Sequence, residues 1–299
     1  MFAKILLATS ATAACDHAAR VAFNLANRYQ AEINVFHVLG VPTRGYSQTV
    51  LDLKTGESVI LDEEYLAWVL EELKTYYAHQ LEQAPFNRLR AVSGVPHREI
   101  LREARDYEPD LIVMGGSTGD PEDTIYKRTM VGSTLQRVAR SAQCPVLVIN
   151  RPAASFWGGI SNVVFATDFS RAAMAAFQFA LKVARELKAE FHIFHAIDTG
   201  AAALAQLPPQ DDIDARLRDA RRRIAAGYGP QLADKPDYTV EVWEGIPYME
   251  IVKYARQCQA DLVVMAHHSR SLGEAEARLG SNIEQVIVRA NCPVVSVNH

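Results

Sequence analysis

The sequence predicts an α/β protein made of two tandem, doubly wound parallel sheets of five strands each. Three observations predict it. Short apolar runs alternate with segments of helical period along all 299 residues, which is the pattern of βαβ units with right-handed crossovers. Residues 110–150 read strand, glycine loop, helix, strand: DLIVM is a run suited to burial on both sheet faces, Gly115 and Gly116 end it, and Val146 to Ile149 follow as the next strand. The same stretch then occurs twice. Residues 261–265 (DLVVM) repeat 110–114, and Gly280-Ser281 and Cys292-Pro293-Val294 repeat Gly132-Ser133 and Cys144-Pro145-Val146. Between 94–114 and 245–265, ten of twenty-one positions are identical, so a whole domain is duplicated rather than a short solenoid repeat.

The elements follow in order. Residues 4–9 (KILLAT) form the first strand. Residues 13–29 form an alanine-rich helix with Ala18, Val21, Ala22, Leu25 and Ala26 on one face, and 31–39 form the second strand. Two alternating runs around KTGE at 54–57 predict a β-hairpin excursion within 40–60. Residues 62–83 read as one helix with Leu66, Val69, Leu70, Leu73 and Tyr77 inward. Strand 88–93 and helix 97–107 lead to strand 110–114. The next helix shows Leu135, Val138, Ala139 and Ala142 at helical spacing, and Ser133 with Gln136 is a capping-box pattern that makes Ser133 the expected N-cap. The second half replays this order: strand 162–167, helix 172–187, strand 189–197, a helix from about 211 with Ile213, Leu217, Ala220 and Ile224 inward, strand 238–243, helix 248–257, strand 261–265 and strand 294–298. Arg221, Arg222 and Arg223 read as a solvated helix face. These boundaries divide the chain into a first domain at 1–150, a linker at 151–160 and a second domain at 161–299.

Composition narrows the function. With 49% apolar and 22% charged residues, a net charge of −4 and a pI near 6.1, nothing points to nucleic acid or an anionic membrane as partner. No signal peptide or membrane-length apolar run is visible. Cys15, Cys144, Cys258 and Cys292 lack metal-ligand spacing, and the expectation is a cytoplasmic protein in a reducing compartment.

The chain resembles the universal stress protein family in its two-domain form. The residues that carry the resemblance are Ala166-Thr167-Asp168-Phe169-Ser170, the strand ends His37-Val38 and His195-Ala196, the repeated Gly-x-Pro-x-x-Glu-Ile, and Gly-Ser…Cys-Pro-Val in each half. The resemblance implies a flavodoxin-like fold of the adenine-nucleotide alpha-hydrolase kind, strand order 3-2-1-4-5, with the two domains paired through their last strands, 146–150 and 294–298; further homodimerisation is compatible with it. It also implies ATP or AMP as ligand, held by an Asp after strand one and a G-x2-G-x9-G-[ST] loop after strand four, with no metal beyond a nucleotide-borne magnesium ion. Carried onto this chain, the candidate binding residues are Thr9, Ser10, Val38, Met114, Gly116, Gly119, Gly132, Ser133 and Thr134 in the first half. In the second half they are Thr167, Asp168, Gly280 and Ser281.

Each half departs from that pattern. The first separates Gly119 from Gly132 by twelve residues and has Ser10 at the Asp position. The second keeps Asp168 but reads Ala266-His267-His268-Ser269 for Gly-x2-Gly, and Ser281 with Glu284 repeats the capping box. The glycines also suit turns and helix starts, Asp168 also suits a helix cap, and His37 and His195 also suit packed strand ends, so both readings stand. His267-His268 lacks a third ligand for a metal. No G-x-S-x-G elbow or P-loop is present. The sequence therefore favours a stress-response nucleotide binder that is not an efficient enzyme, with slow ATP hydrolysis left open. An interaction scaffold with vestigial clefts, holding another small ligand, is the alternative.

Overall fold

The computed structural model describes residues 1–40, 49–51, 58–60, 62–84, 86–116, 133–150, 159–199, 209–234, 237–267 and 282–298. The described residues divide into two compact units, one within residues 1–150 and the other within residues 159–298.

In the first unit, β1 (Lys4–Thr9) lies between β2 (Glu32–Gly40) and β6 (Leu111–Gly115), with β5 (Phe86–Gly94) beyond β2 and β7 (Val146–Ile149) beyond β6. Every pairing is parallel, so the unit's own strand order is 3-2-1-4-5, as expected. The helices are α1 (Ala13–Tyr29), α2 (Glu63–Tyr76), α3 (Ala78–Gln83), α4 (Pro96–Tyr107) and α5 (Ser133–Ser141). The excursion holds a short antiparallel pair, β3 (Thr49–Leu51) with β4 (Ser58–Ile60). Residues 52–57, which hold the KTGE of the expected hairpin, lie outside the described residues. The second unit repeats the plan with β8 (Asn162–Ala166), α6 (Arg171–Leu187), β9 (Glu190–Asp198), α7 (Gln210–Tyr228), β10 (Tyr238–Gly245), α8 (Pro247–Gln257), β11 (Leu262–Ala266), α9 (Asn282–Arg289) and β12 (Val294–Val297). Its order is β10-β9-β8-β11-β12, again parallel throughout.

The central strands are buried on both faces, as their unbroken apolar runs require: Ile5, Leu6, Leu7, Leu111, Ile112 and Val113 are all fully buried. Alanines on α1 let that helix lie close over the sheet, and Ala18, Val21, Ala22, Leu25 and Ala26 face it. The helix expected over 62–83 breaks. Asp62 caps α2 by accepting from the Tyr65 amide at 2.8 Å, but Tyr77 adopts φ −103° and ψ 14°, and α3 starts anew after it. Tyr77 is drawn inward by a hydrogen bond described below, and the helix bends around that anchor. Leu66 and Leu70 stay half-buried, and Val69, Leu73 and Tyr77 supply the buried face.

The duplicated motifs are scaffold. Asp110 Oδ2 accepts from the amides of Ala3 (2.6 Å) and Lys4 (2.9 Å), and Asp261 Oδ2 accepts from Ser161 (2.7 Å) and Asn162 (3.0 Å). The aspartate before the fourth strand thus closes the open amides at the start of the first strand. In Gly-x-Pro-x-x-Glu, the proline is the first residue of α4 and of α8. The glycine must stay bare: a Cβ on Gly94 or Gly245 would lie 2.7 Å from Cγ of Glu99 or Glu250. Gly245 also has φ +143°. The glutamate folded over it pairs with Arg102 at 2.8 Å in one unit and Lys253 at 2.6 Å in the other.

Losing two amide partners at once makes Asp110→Ala costly. Denaturant unfolding should show a loss of about 1–3 kcal/mol, and an unchanged midpoint would contradict the role assigned to Asp110.

Candidate functional site

A threonine stands at the carboxyl end of each unit's first strand, Thr9 as the last residue of β1 and Thr167 directly after β8. Thr9 Oγ1 is hydrogen-bonded to the Tyr77 hydroxyl at 2.7 Å and accepts from the Ala11 amide at 2.9 Å, and its carbonyl meets His37 Nδ1 at 2.9 Å. Thr167 repeats each link: Tyr228 at 2.7 Å, the Phe169 amide at 3.0 Å and His195 Nδ1 at 2.7 Å. Ala11 and Phe169 sit in the left-handed region, at φ 52° and 59°. Neither is a glycine, so the threonine bond helps hold a conformation that costs about 1 kcal/mol or more. The turn lifts residue 10 or 168 to the carboxyl end of the first strand. A carbonyl can only accept, so Nδ1 of each histidine carries the proton and Nε2 is left as an acceptor in the neutral ring. Burial lowers the pKa of both, against a smaller opposing effect of the carbonyl bond. Packed strand-end histidine is therefore the reading the geometry favours.

The candidate residues gather as the topology requires. Thr9, Ser10, Val38 and Met114 lie at the carboxyl ends of three adjacent strands, and Gly116 follows β6. The carboxyl ends of strands where the strand order reverses are the place at which open α/β sheets generally take a ligand. Ser133 and Thr134 begin α5. Helix α5 takes in Ser133 as its own first residue, where the capping box expects Ser133 as the cap before the helix. Gly119, Gly132, Gly280 and Ser281 lie outside the described residues.

Individual residues differ from expectation. Gly116 donates its amide to the Ile149 carbonyl at 3.0 Å, which continues the β6–β7 ladder and leaves that amide unavailable to a phosphate. It is bare for another reason: a Cβ there would fall 1.0 Å from Asn150 Oδ1. Ser10 is not turned outward for a ribose, because its hydroxyl meets Thr12 Oγ1 at 3.0 Å and Cys15 Sγ at 3.1 Å. Asp168 is exposed and accepts from the Ser170 amide at 2.9 Å, while Ser170 itself caps α6 through Ala173. One Asp168 oxygen thus orders the turn, and the helix cap is its neighbour.

The register also reassigns the second loop. Ala266 pairs with Val297 as Gly115 pairs with Ile149, and the His267 amide reaches the Val297 carbonyl at 2.8 Å as Gly116 reaches Ile149. His267, not Ala266, therefore takes the place of Gly116, and its imidazole is 8% exposed. The first turn of α9 contains Glu284, whereas that of α5 holds no acid.

Two features escaped the sequence reading. Tyr228 was visible only as the partner of Tyr77 at the domain offset. Arg223, read as one of three solvated arginines, places its guanidinium 4.1 Å from the Phe169 ring centroid, and Phe169 lies 4.4 Å from the His195 ring. Arg222 pairs with Asp219 at 3.2 Å, as a solvated face would have it. Burial pushes the Cys144 and Cys292 thiols up to about 12, so both behave as packing residues. Among the described residues no cluster of His, Cys, Asp and Glu could hold a metal.

Three histidines, His192 buried and His37 and His195 half-buried, make stability pH-dependent. His37, His195 and His192 all have pKa values lowered by burial from an ordinary 6.5. His192 is bonded to Thr239 Oγ1 at 2.7 Å, Tyr254 at 3.0 Å and Asn162 at 3.2 Å, with Glu190 at 3.8 Å. The unfolded chain takes up protons that the folded chain refuses, so stability is full above the ordinary value and falls as pH drops below it. Urea unfolding between about pH 7.5 and about pH 5 should show that loss, reduced in His195→Gln. An equal loss in parent and variant would contradict it for His195.

Comparison with known proteins completes the description. The sequence model of the universal stress protein family matches residues 1–150 and again 159–298. A universal stress protein of Methanocaldococcus jannaschii is 29% identical over 160 residues, which are 51% of this chain and 84% of its own. The crystal structure of a universal stress protein from Archaeoglobus fulgidus has a TM-score of 0.67 at 22% identity, covering 99% of this chain and 98% of that one. A functionally unknown protein from Pseudomonas aeruginosa gives 0.62 at 20% identity, over 99% and 92%. At such identities the two structures speak for the fold alone. No helix among the described residues is long and apolar enough to cross a membrane.

Proposed function

The chain belongs to the universal stress protein family, with two family domains in one polypeptide, and from that premise we propose that it is a cytoplasmic stress-response protein whose first unit binds an adenine nucleotide, ATP or AMP, without being an efficient enzyme. The observation that carries the choice of unit is the contrast between the two last helices. Helix α5 begins with Ser133 and Thr134, has no acid in its first turn and carries Arg137 one turn on. The first amides of a helix have no partner within the helix itself, and such amides suit phosphate oxygens. Helix α9 has Glu284 in that turn, and the buried ring of His267 stands where the first unit has a bare glycine. Thr9, Val38 and Met114 would border the base and sugar, with Ser10 joining only by leaving its bonds to Thr12 and Cys15. Gly119 and Gly132 complete the loop in this reading.

A second reading rests on the same details. The Gly116 amide and the Ser10 hydroxyl already have protein partners, which fits clefts that have lost nucleotide and serve an interaction scaffold. Calorimetry separates the two. The first reading expects one nucleotide per chain, with affinity unaffected by Asp168→Ala. Loss of binding in Asp168→Ala moves the site to the second unit. No heat from folded protein at about millimolar ATP and AMP, a Kd weaker than the ~4 kcal/mol scale, favours the scaffold.

A further inference from the structure

The first unit carries an arginine whose polar partner is a base rather than an acid. Arg137 Nη1 lies 3.3 Å from His97 Nε2 and 3.5 Å from its Nδ1. Among the described residues these are its only polar contacts, and the side chain is exposed. An exposed arginine beside a carboxylate would be an ordinary surface pair of small worth. Among the described residues the local charge is left unbalanced, because Arg98 follows His97 in the first turn of α4 and the acid of that turn, Glu99, is bound to Arg102 at 2.8 Å. The effect is felt at the imidazole, where burial, then Arg137, then Arg98 all lower the pKa of His97.

The position of the pair matters as much as its charge. Helix α4 starts directly after β5 and α5 leads into β7, so both begin at the carboxyl ends of the strands. His97 is the second residue of α4. Arg137 stands four residues after Ser133 and three after Thr134, hence on the same face of α5 as both. A guanidinium there is a fork suited to phosphate oxygens, and the neutral imidazole beside it can take up a proton once an anion arrives. The second unit has no counterpart: Gln285 and Tyr248 occupy the equivalent places, and Arg289 lies over Tyr248 at 5.2 Å.

We propose that Arg137, with His97 beside it, grips the terminal phosphates of a nucleoside triphosphate and so makes the first unit prefer ATP to AMP. This rests on the nucleotide reading above. Calorimetry of the full chain with ATP and with AMP tests it, on the parent, Arg137→Ala and Arg137→Lys, with thermal melts confirming that the variants fold. The parent should bind ATP about tenfold more tightly than AMP, the worth of one charge-assisted contact. Arg137→Ala should bring the ATP-to-AMP affinity ratio close to one by weakening ATP far more than AMP, and Arg137→Lys should restore part of the preference. An ATP-to-AMP ratio that is unchanged in Arg137→Ala overturns the inference and leaves the nucleotide reading standing. Absence of binding by either nucleotide to the parent overturns both.

Discussion

Each unit turns on one threonine. Where the first strand ends, a single hydroxyl and carbonyl join the strand to the second helix through a tyrosine, to the second strand through a histidine, and to the turn that follows through an amide. Tyr77 and Tyr228 reach it from aromatic surroundings, Tyr228 lying 4.6 Å from the Phe177 ring and 5.4 Å from that of Phe165. Both threonines and both tyrosines are nearly inaccessible to water, and a hydroxyl pair in such a place must be satisfied internally. This requirement fixes where the chain leaves the first strand, and so which residue stands just beyond that strand's carboxyl end.

From that shared hub the two units diverge. Beyond the first strand, the first has Ser10, bound into its own helix start, and the second has the exposed carboxylate of Asp168. After the fourth strand, the first has Gly116 against Asn150, and the second has the buried ring of His267. The sheet edge differs too. Glu103 is buried against Asn34 (2.7 Å) and Arg90 (2.5 Å), where the second unit places the neutral group of Tyr254, His192 and Thr239. A buried carboxylate that needs both partners and a neutral hydroxyl network are different solutions to the same edge. Duplication preserved the scaffold, and each copy retained a different part of the binding pattern.

The scaffold was legible because its signals are local and repeated. Apolar runs buried on two faces, alanines at helical spacing, and the Gly-x-Pro-x-x-Glu and Asp-Leu-x-Val-Met motifs each have one geometric cause, met in both units. The site was less legible because its residues act across the fold. That Gly116 spends its amide on Ile149, that Ser10 turns toward Thr12, and that Arg223 covers Phe169 depend on neighbours far apart or on side-chain direction, which spacing does not encode. The break at Tyr77 has the same origin: a hydrogen bond to a residue 68 positions away overrides the helical period. The matching of Ala266 to Gly116 failed by a single residue, since His267 takes that place in the ladder and loop matching has no ladder to set its register.

The threonine hub is the claim most open to direct test. A double-mutant cycle of Thr167→Val and Tyr228→Phe in denaturant unfolding isolates the link between the first strand and the second helix. If the hub is cooperative, the two substitutions should couple by about 0.5–2 kcal/mol. Strict additivity, within about 0.3 kcal/mol, would show that the hydroxyl pair merely sits in the core and does not tie the strand to the helix.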